Sequence, residues 1–165
     1  MYYCFLKTPI GELVLAGKAS RLEKVCFASG LSRHALFEKW MFNDQVFLEE
    51  RKQLTEYFDG KRELFDFELK LKGTEFQLLV FHELQKVPYG TTCSYSDIAH
   101  ALGRPKAVRA VGRANGLNPL LIVVPCHRVI GTNGNLCGYN SLQGISVKEK
   151  LINLEKHYED SLITE

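Results

Sequence analysis

Three adjacent residues carry the side chains best suited to nucleophilic chemistry: Cys126, His127 and Arg128, in the stretch "VVPCHRVIG" that spans 123–131. The apolar run Leu120 to Val124 precedes them and reads as a buried strand stopped by Pro125. A cysteine at a strand end can be an inert, small hydrophobe, which is the ordinary state of a free thiol. The same cysteine beside an imidazole and a guanidinium has neighbours that favour the thiolate, the nucleophilic form. In extended backbone, consecutive side chains point to opposite faces. Direct contact between Cys126 and His127 is therefore awkward, and a bridging water is the better link.

Composition limits what such a thiol does. The chain has 165 residues, of which 45% are hydrophobic and 24% charged, as in an ordinary globular protein. No apolar run reaches the roughly 20 residues that span a bilayer. The N-terminal "MYYCFLKTPIG" shows no secretory pattern. Five cysteines, Cys4, Cys26, Cys93, Cys126 and Cys137, form no CxxC pair. Reduced thiols in a cytoplasmic compartment are expected, nucleoid-associated in a prokaryote or nuclear in a eukaryote. Close ligand pairs with zinc spacing are missing, so no metal site is expected.

Charge is unevenly placed. The net charge is only +2, yet no Asp or Glu lies between Asp97 and Glu149, while Arg104, Lys106, Arg109, Arg113, Arg128 and Lys148 do. One face of the C-terminal half is expected to be positive, as in a polyanion binder. A solvated basic helix is the plainer alternative.

The elements that must position these groups fall into two sets. In the first, "YYCFLKT" and "ELVLAG" flank the turn "PIG" as a hairpin, and "LEKVCFA" is a third strand. Ser32 caps a helix through "RHALFEKWM", and "FLEERKQLTEYF" is a second helix ended by Asp59-Gly60. "LFDFELKL" alternates as an edge strand. Residues 1–72 thus read as a small α/β scaffold with a mainly antiparallel sheet. The second set, 73–165, is mainly α. Thr74 and Gln77 form a capping box before "EFQLLVFHELQK", and Ser94 and Asp97 form another before "YSDIAHAL", which Gly103 stops. Pro105 opens the helix "PKAVRAVGRAN". The last two helices make a helix-turn-helix. Lys106, Arg109 and Arg113 share one face of its second helix, and Ala107, Ala110 and Ala114 a neighbouring stripe small enough for close approach to a partner. Asn133-Gly134 is a hairpin signal. Ser146 and Glu149 cap a final helix with Val147, Leu151 and Leu154 on its apolar stripe.

"PCHRVIG", preceded by "SYSDIAHALGRPKAVRAVGRANGLNP", resembles the O6-alkylguanine-DNA alkyltransferases, the methylated-DNA–protein-cysteine methyltransferases. The likeness is close over 73–157 and looser in the N-terminal half, through "TPIGELVLAG". It implies a ribonuclease-H-like N-terminal domain and a winged-helix-like C-terminal one. It also implies a monomer without cofactor that binds double-stranded DNA in the minor groove and flips out the damaged base. The alkyl group of O6-alkylguanine, and of O4-alkylthymine, then passes irreversibly to Cys126. By the same resemblance His127 deprotonates Cys126 through a water, Glu155 orients His127, Asn118 braces the site, and Tyr95 contacts the flipped base and a rotated phosphate. Arg109 fills the gap in the base stack, and Ser94, Lys106, Ala107, Ala110, Arg113 and Arg128 lie against DNA. Val129, Tyr139 and Ser141 line the pocket. Taken alone, Glu155 reads more readily as a surface helix charge than as a catalytic group, Tyr95 equally as helix packing, and Arg109 as a plain phosphate contact, the commonest arginine role on DNA. In "CGYNSLQGISVKEK" the loop after the cysteine is longer than in the family and lacks its paired glycines, so 138–144 is expected to form a roomier wall that accepts groups larger than methyl. A sensor that binds alkylguanine without transfer, and a helix-turn-helix regulator with a redox thiol, are the competing readings; sensors of that kind lack the cysteine.

Overall fold

The structure, a computed structural model, describes all residues except 19, 20, 33, 35–37, 135–144 and 165, and for Ile145 and 159–164 the backbone only. The chain forms two compact units, Met1–Leu71 and Lys72–Glu165.

In the first unit, β1 (Tyr2–Thr8) and β2 (Gly11–Lys18) pair antiparallel around Pro9-Ile10, with Thr8 opposite Gly11. The Thr8 hydroxyl donates to Gly11 O at 2.5 Å and accepts from Ile10 N, closing the turn. β3 (Arg21–Phe27) pairs with β2. β4 (Met41–Phe42) adds a short parallel edge beside β1, giving the order β3-β2-β1-β4. Met41 is thus in a strand, not at the end of the expected helix through "RHALFEKWM"; His34, Glu38 and Lys39 of that stretch are helical, and 33 and 35–37 lie outside the described residues. One sheet face buries Cys4, Leu13, Leu15 and Val25, and helix α1 (Leu48–Phe58) sets Leu54, Tyr57 and Phe58 in the core. Asp59-Gly60 stops α1, with Gly60 at φ 73°.

Residues 64–71 keep the expected alternation of exposure but are not a strand. Their sheet pairing is a single bridge, Leu22 to Leu69. The Gln53 side chain takes the Asp66 backbone N–H at 3.0 Å, and Phe65 packs on Tyr57 instead. A side chain has replaced a strand as hydrogen-bond partner.

The register slips between Ala16 and Gly17. A Cβ on Gly17 would lie 2.1 Å from Arg21 O and 3.0 Å from Glu23 N, both backbone atoms. Gly17→Ala must push β3 away from β2. It is expected to lower the unfolding free energy by roughly 1–3 kcal/mol, read as a lower denaturant midpoint; an unchanged midpoint would contradict this register.

The second unit opens with α2 (Glu75–Leu84), capped reciprocally by Thr74 and Gln77. The Ser94–Asp97 box likewise opens α3 (Tyr95–Ala101), which Gly103 ends at φ 70°. α4 (Val108–Gly116) starts three residues later than Pro105. Ala107 N bonds Arg104 O at 2.9 Å, so Pro105 and Lys106 sit in a turn before the helix. A last helix, α5 (Ile145–Thr164), already includes Ser146, which therefore lies in its first turn and not at the cap position. Val147 and Leu151 are fully buried. Asn133-Gly134 does turn, with Gly134 N on Gly131 O at 2.8 Å, but the residues that would return from it lie outside the description. No described helix is long and apolar enough to cross a membrane.

The run 120–124 is buried as expected, yet it is a compact turn and not a strand. Val123 N bonds Leu121 O at 2.8 Å around Ile122, held at φ 73°. That tight three-residue turn is strained for a β-branched residue. Val124 N reaches back to Leu120 O, and Cys126 N to Val124 O around Pro125. The chain enters Cys126 from a folded-back loop that no local propensity favours.

Candidate active site

That loop is held by one side chain. Asn118 accepts from Leu120 N at 2.9 Å and donates to Val124 O at 2.8 Å and Leu120 O at 3.3 Å. These bonds satisfy buried backbone groups that a ladder would otherwise satisfy. Asn115, on the inner face of α4, donates to Cys126 O at 3.3 Å. The sequence reading had no role for Asn115.

Cys126–Arg128 is a single turn of 3-10 helix, followed by β6 (Val129–Ile130), which pairs parallel with β5 (Cys93–Ser94). In such a turn neighbouring side chains diverge by about a third of a revolution and do not oppose each other. The geometric objection drawn from an extended backbone falls with the strand.

Cys126 is 1% exposed and His127 0%. His127 Nε2 lies 2.7 Å from Glu155 Oε1 on α5. Burial alone would raise the Glu155 carboxyl, but the hydrogen bond from His127 and the hydrogen bonds and charge of the Arg128 guanidinium hold it below the ordinary carboxylate range. Burial drives His127 below its ordinary value, helped by the positive charges of Arg128 and Lys148 and opposed by Glu155. An ionised carboxylate beside a neutral imidazole fixes the ring proton on Nε2. Nδ1 then carries the lone pair, and it has no hydrogen-bond partner among the described residues. A buried base is thus held one residue from a buried thiol.

The thiol itself differs from expectation. Burial pushes Cys126 up to about 11, against the Asn118 side-chain hydrogen bond and the Lys148 charge. His127 and Arg128 do not supply a ready thiolate. Arg128, 6% exposed, has turned inward: Nε donates to Glu155 Oε2 at 2.9 Å, Nη2 to Oε1 at 2.9 Å and Nη1 to Val87 O at 2.8 Å. Its expected place on the outer basic face is corrected accordingly.

Lys148 is the other inward cation. It is fully buried, with Nζ 3.2 Å from the Tyr95 hydroxyl and 5.4 Å from the centre of that ring. It lies three residues before Leu151 and four before Ile152, so a lysine on the apolar stripe of α5 was the available sign. Tyr95 is itself buried, at the first position of α3. The Ser94 hydroxyl accepts from Asp97 N at 3.0 Å and so serves the cap. Val129 is buried opposite Cys93.

The outer face keeps four of the six cations. Arg104, Lys106, Arg109 and Arg113 are exposed, as is Ala110; Ala107 is half-buried. Ala114, 3% exposed, faces the protein's own interior with Val111, which removes it from the small-residue stripe. Lys106 precedes the helix and does not share its face with Arg109 and Arg113 by helical spacing. Tyr139 and Ser141, with the whole stretch 138–144, lie outside the described residues.

Residues 75–157 match the family described as 6-O-methylguanine DNA methyltransferase, DNA binding domain, and residues 1–71 its ribonuclease-like domain. A methylated-DNA–protein-cysteine methyltransferase of Methanosarcina acetivorans is 46% identical over 155 residues, covering 94% of this chain and 98% of that protein. The crystal structure of Mycobacterium tuberculosis O6-methylguanine methyltransferase superposes with a TM-score of 0.89 at 43% identity, covering 95% of this chain and 93% of that one. The Mycobacterium tuberculosis protein in complex with DNA gives 0.88 at 44% identity, covering 96% and 94%.

Proposed function

Because the chain belongs to the 6-O-methylguanine DNA methyltransferase family, we propose that the buried cysteine, histidine and glutamate form its alkyl-accepting centre, with Cys126 as acceptor. The protein repairs DNA by moving an alkyl group from a damaged base to its own cysteine. The observation that carries the assignment is the buried hydrogen bond between Glu155 Oε1 and His127 Nε2, one residue from the buried Cys126, with His127 Nδ1 left without a partner among the described residues.

The chemistry follows from those atoms. A water between Sγ and Nδ1 relays the thiol proton to His127, and the imidazolium that forms is balanced by Glu155. The thiolate attacks the alkyl carbon, the S–C bond forms and the O6–C bond breaks. The electron pair stays on the guanine, where the Tyr95 hydroxyl, coupled to Lys148, is placed to stabilise or protonate it. The thiol is itself the acceptor, so no cofactor enters the balance. The thioether product is inert to hydrolysis, so each molecule acts once.

The O6 position lies inside the duplex, and a buried thiol reaches it only if the base leaves the stack. The exposed Arg109, Ala110 and Arg113 on α4 form the DNA-facing side, entering the minor groove with Arg109 as the gap filler. O4-alkylthymine presents the same alkyl–oxygen bond and is a second substrate. The protein acts as a monomer in the cytoplasm or with the nucleoid or nucleus. The parallel β1·β4 pair supports a ribonuclease-H-like reading of the sheet unit, and α3–α4 with the β5·β6 pair a winged-helix-like reading of the other.

Mixing the protein with excess duplex containing O6-methylguanine should transfer methyl groups until one per protein molecule has moved, and then stop. Continued turnover, or no transfer at all, would remove the assignment.

A further inference from the structure

Arg128 stands closer to the chemistry than a DNA contact would. We infer that Arg128 is a positioning residue for the alkyl transfer: its guanidinium clamps Glu155 so that His127 stays neutral, with its proton on Nε2 and Nδ1 left unprotonated. This rests on the alkyl-transfer reading above.

The clamp is built from both sides. Two parallel N–H donors of Arg128, Nε and Nη2, meet the two carboxylate oxygens of Glu155 at 2.9 Å each, the fork geometry that only arginine provides. The remaining nitrogen, Nη1, is tied to Val87 O at 2.8 Å, and the guanidinium lies over the Tyr89 ring at 5.6 Å. Gly90 N adds a long bond to Glu155 Oε2 at 3.4 Å. The turn "VPYG" after α2 therefore anchors the arginine, the arginine anchors the glutamate, and the glutamate anchors the imidazole.

The charges decide what this does. The charged or titratable groups facing His127 are Cys126 and Arg128 from its own turn and Lys148 and Glu155 from α5, with Tyr95 behind Lys148. Glu155 alone would attract a second proton to the imidazole and occupy Nδ1 before the thiol needs it. Arg128 cancels that carboxylate charge at contact distance. Without Arg128 the His127 imidazolium is favoured, so its titration rises. The fraction of neutral base is then lost at a higher pH as the solution is acidified.

The test is the methyl-transfer rate from O6-methylguanine duplex at saturating protein, followed against pH, with a melting curve for each variant. The wild type should hold its rate to below the ordinary histidine range. In Arg128→Met the acid limb should move up by about one pH unit or more, so that on the acid side of both limbs the variant is about tenfold slower relative to the wild type than it is near pH 8. Removing both charges, in Arg128→Met with Glu155→Gln, should return the limb to about the wild-type position, at a lower rate throughout, because nothing then fixes the tautomer. A folded Arg128→Met with the wild-type limb overturns the inference, as does an upward shift that persists in the double variant. Should Arg128→Met fail to fold, the double variant decides: a limb at about the wild-type position supports the cancellation, and a limb well below it shows a Glu155 charge that Arg128 does not cancel and overturns the inference. A wild type that transfers nothing would instead remove the alkyl-transfer reading.

Discussion

Cys126→Ser is expected to abolish methyl transfer and leave DNA binding intact. The substitution is nearly isosteric, so the Asn118 brace and the 2.7 Å His127–Glu155 bond should survive it. The exposed cations on and before α4, proposed above to face the duplex, are untouched. What is lost is the nucleophile. Burial already raises the thiol to about 11. A hydroxyl in its place is harder still to ionise, and His127 is a neutral imidazole too weak to deprotonate it usefully. Loss of labelled methyl from O6-methylguanine duplex should fall below detection while gel-shift affinity stays near the wild-type value. Measurable transfer by the serine variant would mean that another residue accepts the group.

The second large effect is expected at Arg109. This residue points outward from α4, while Val111, Ala114 and Asn115 of the same helix are buried, so truncating it removes no core contact. Extruding a base costs a few kcal/mol. If the arginine side chain fills the gap, Arg109→Ala slows single-turnover repair of duplex DNA by roughly tenfold to several hundredfold, at about 1.4 kcal/mol per tenfold. Reaction with free O6-benzylguanine, which has no stack to leave, should change little. An equal loss on both substrates would place the arginine in support of the fold or the thiol. A weaker duplex affinity with a salt slope reduced by about one, and normal repair at saturation, would make it a phosphate contact.

The contrast between these two residues and Arg128 shows what the residue pattern carries. Four helix ends were legible because their signals are local: Thr74 with Gln77, Ser94 with Asp97, and the glycines at 60 and 103 each act within a turn of their own helix, whereas the starts expected at Pro105 and Ser146 were displaced. The β1–β2 hairpin was legible for the same reason, through Pro9-Ile10-Gly11. The cysteine and histidine stood out by type and adjacency. The failures share a different cause. Leu120 to Val124 has strand composition, but the Asn118 amide bonds its backbone and folds it back. Residues 64–71 alternate like a strand, but Gln53 takes the Asp66 N–H. Arg128 and Lys148 belong to an acid-free stretch that reads as a positive surface; Glu155 and Tyr95, 27 and 53 residues away in sequence, draw them inside. In each case a side chain distant in sequence or newly brought close outcompeted the local preference.

The most direct measurement is the location of the methyl group after reaction. Protein exposed to O6-methylguanine duplex, digested and mapped by mass spectrometry, should show one added methyl on the peptide that contains Cys126. The peptides with Cys4, Cys26, Cys93 and Cys137 should be unchanged. A methyl on any of those four, or methyl lost from the DNA while Cys126 stays unmodified, would contradict the account.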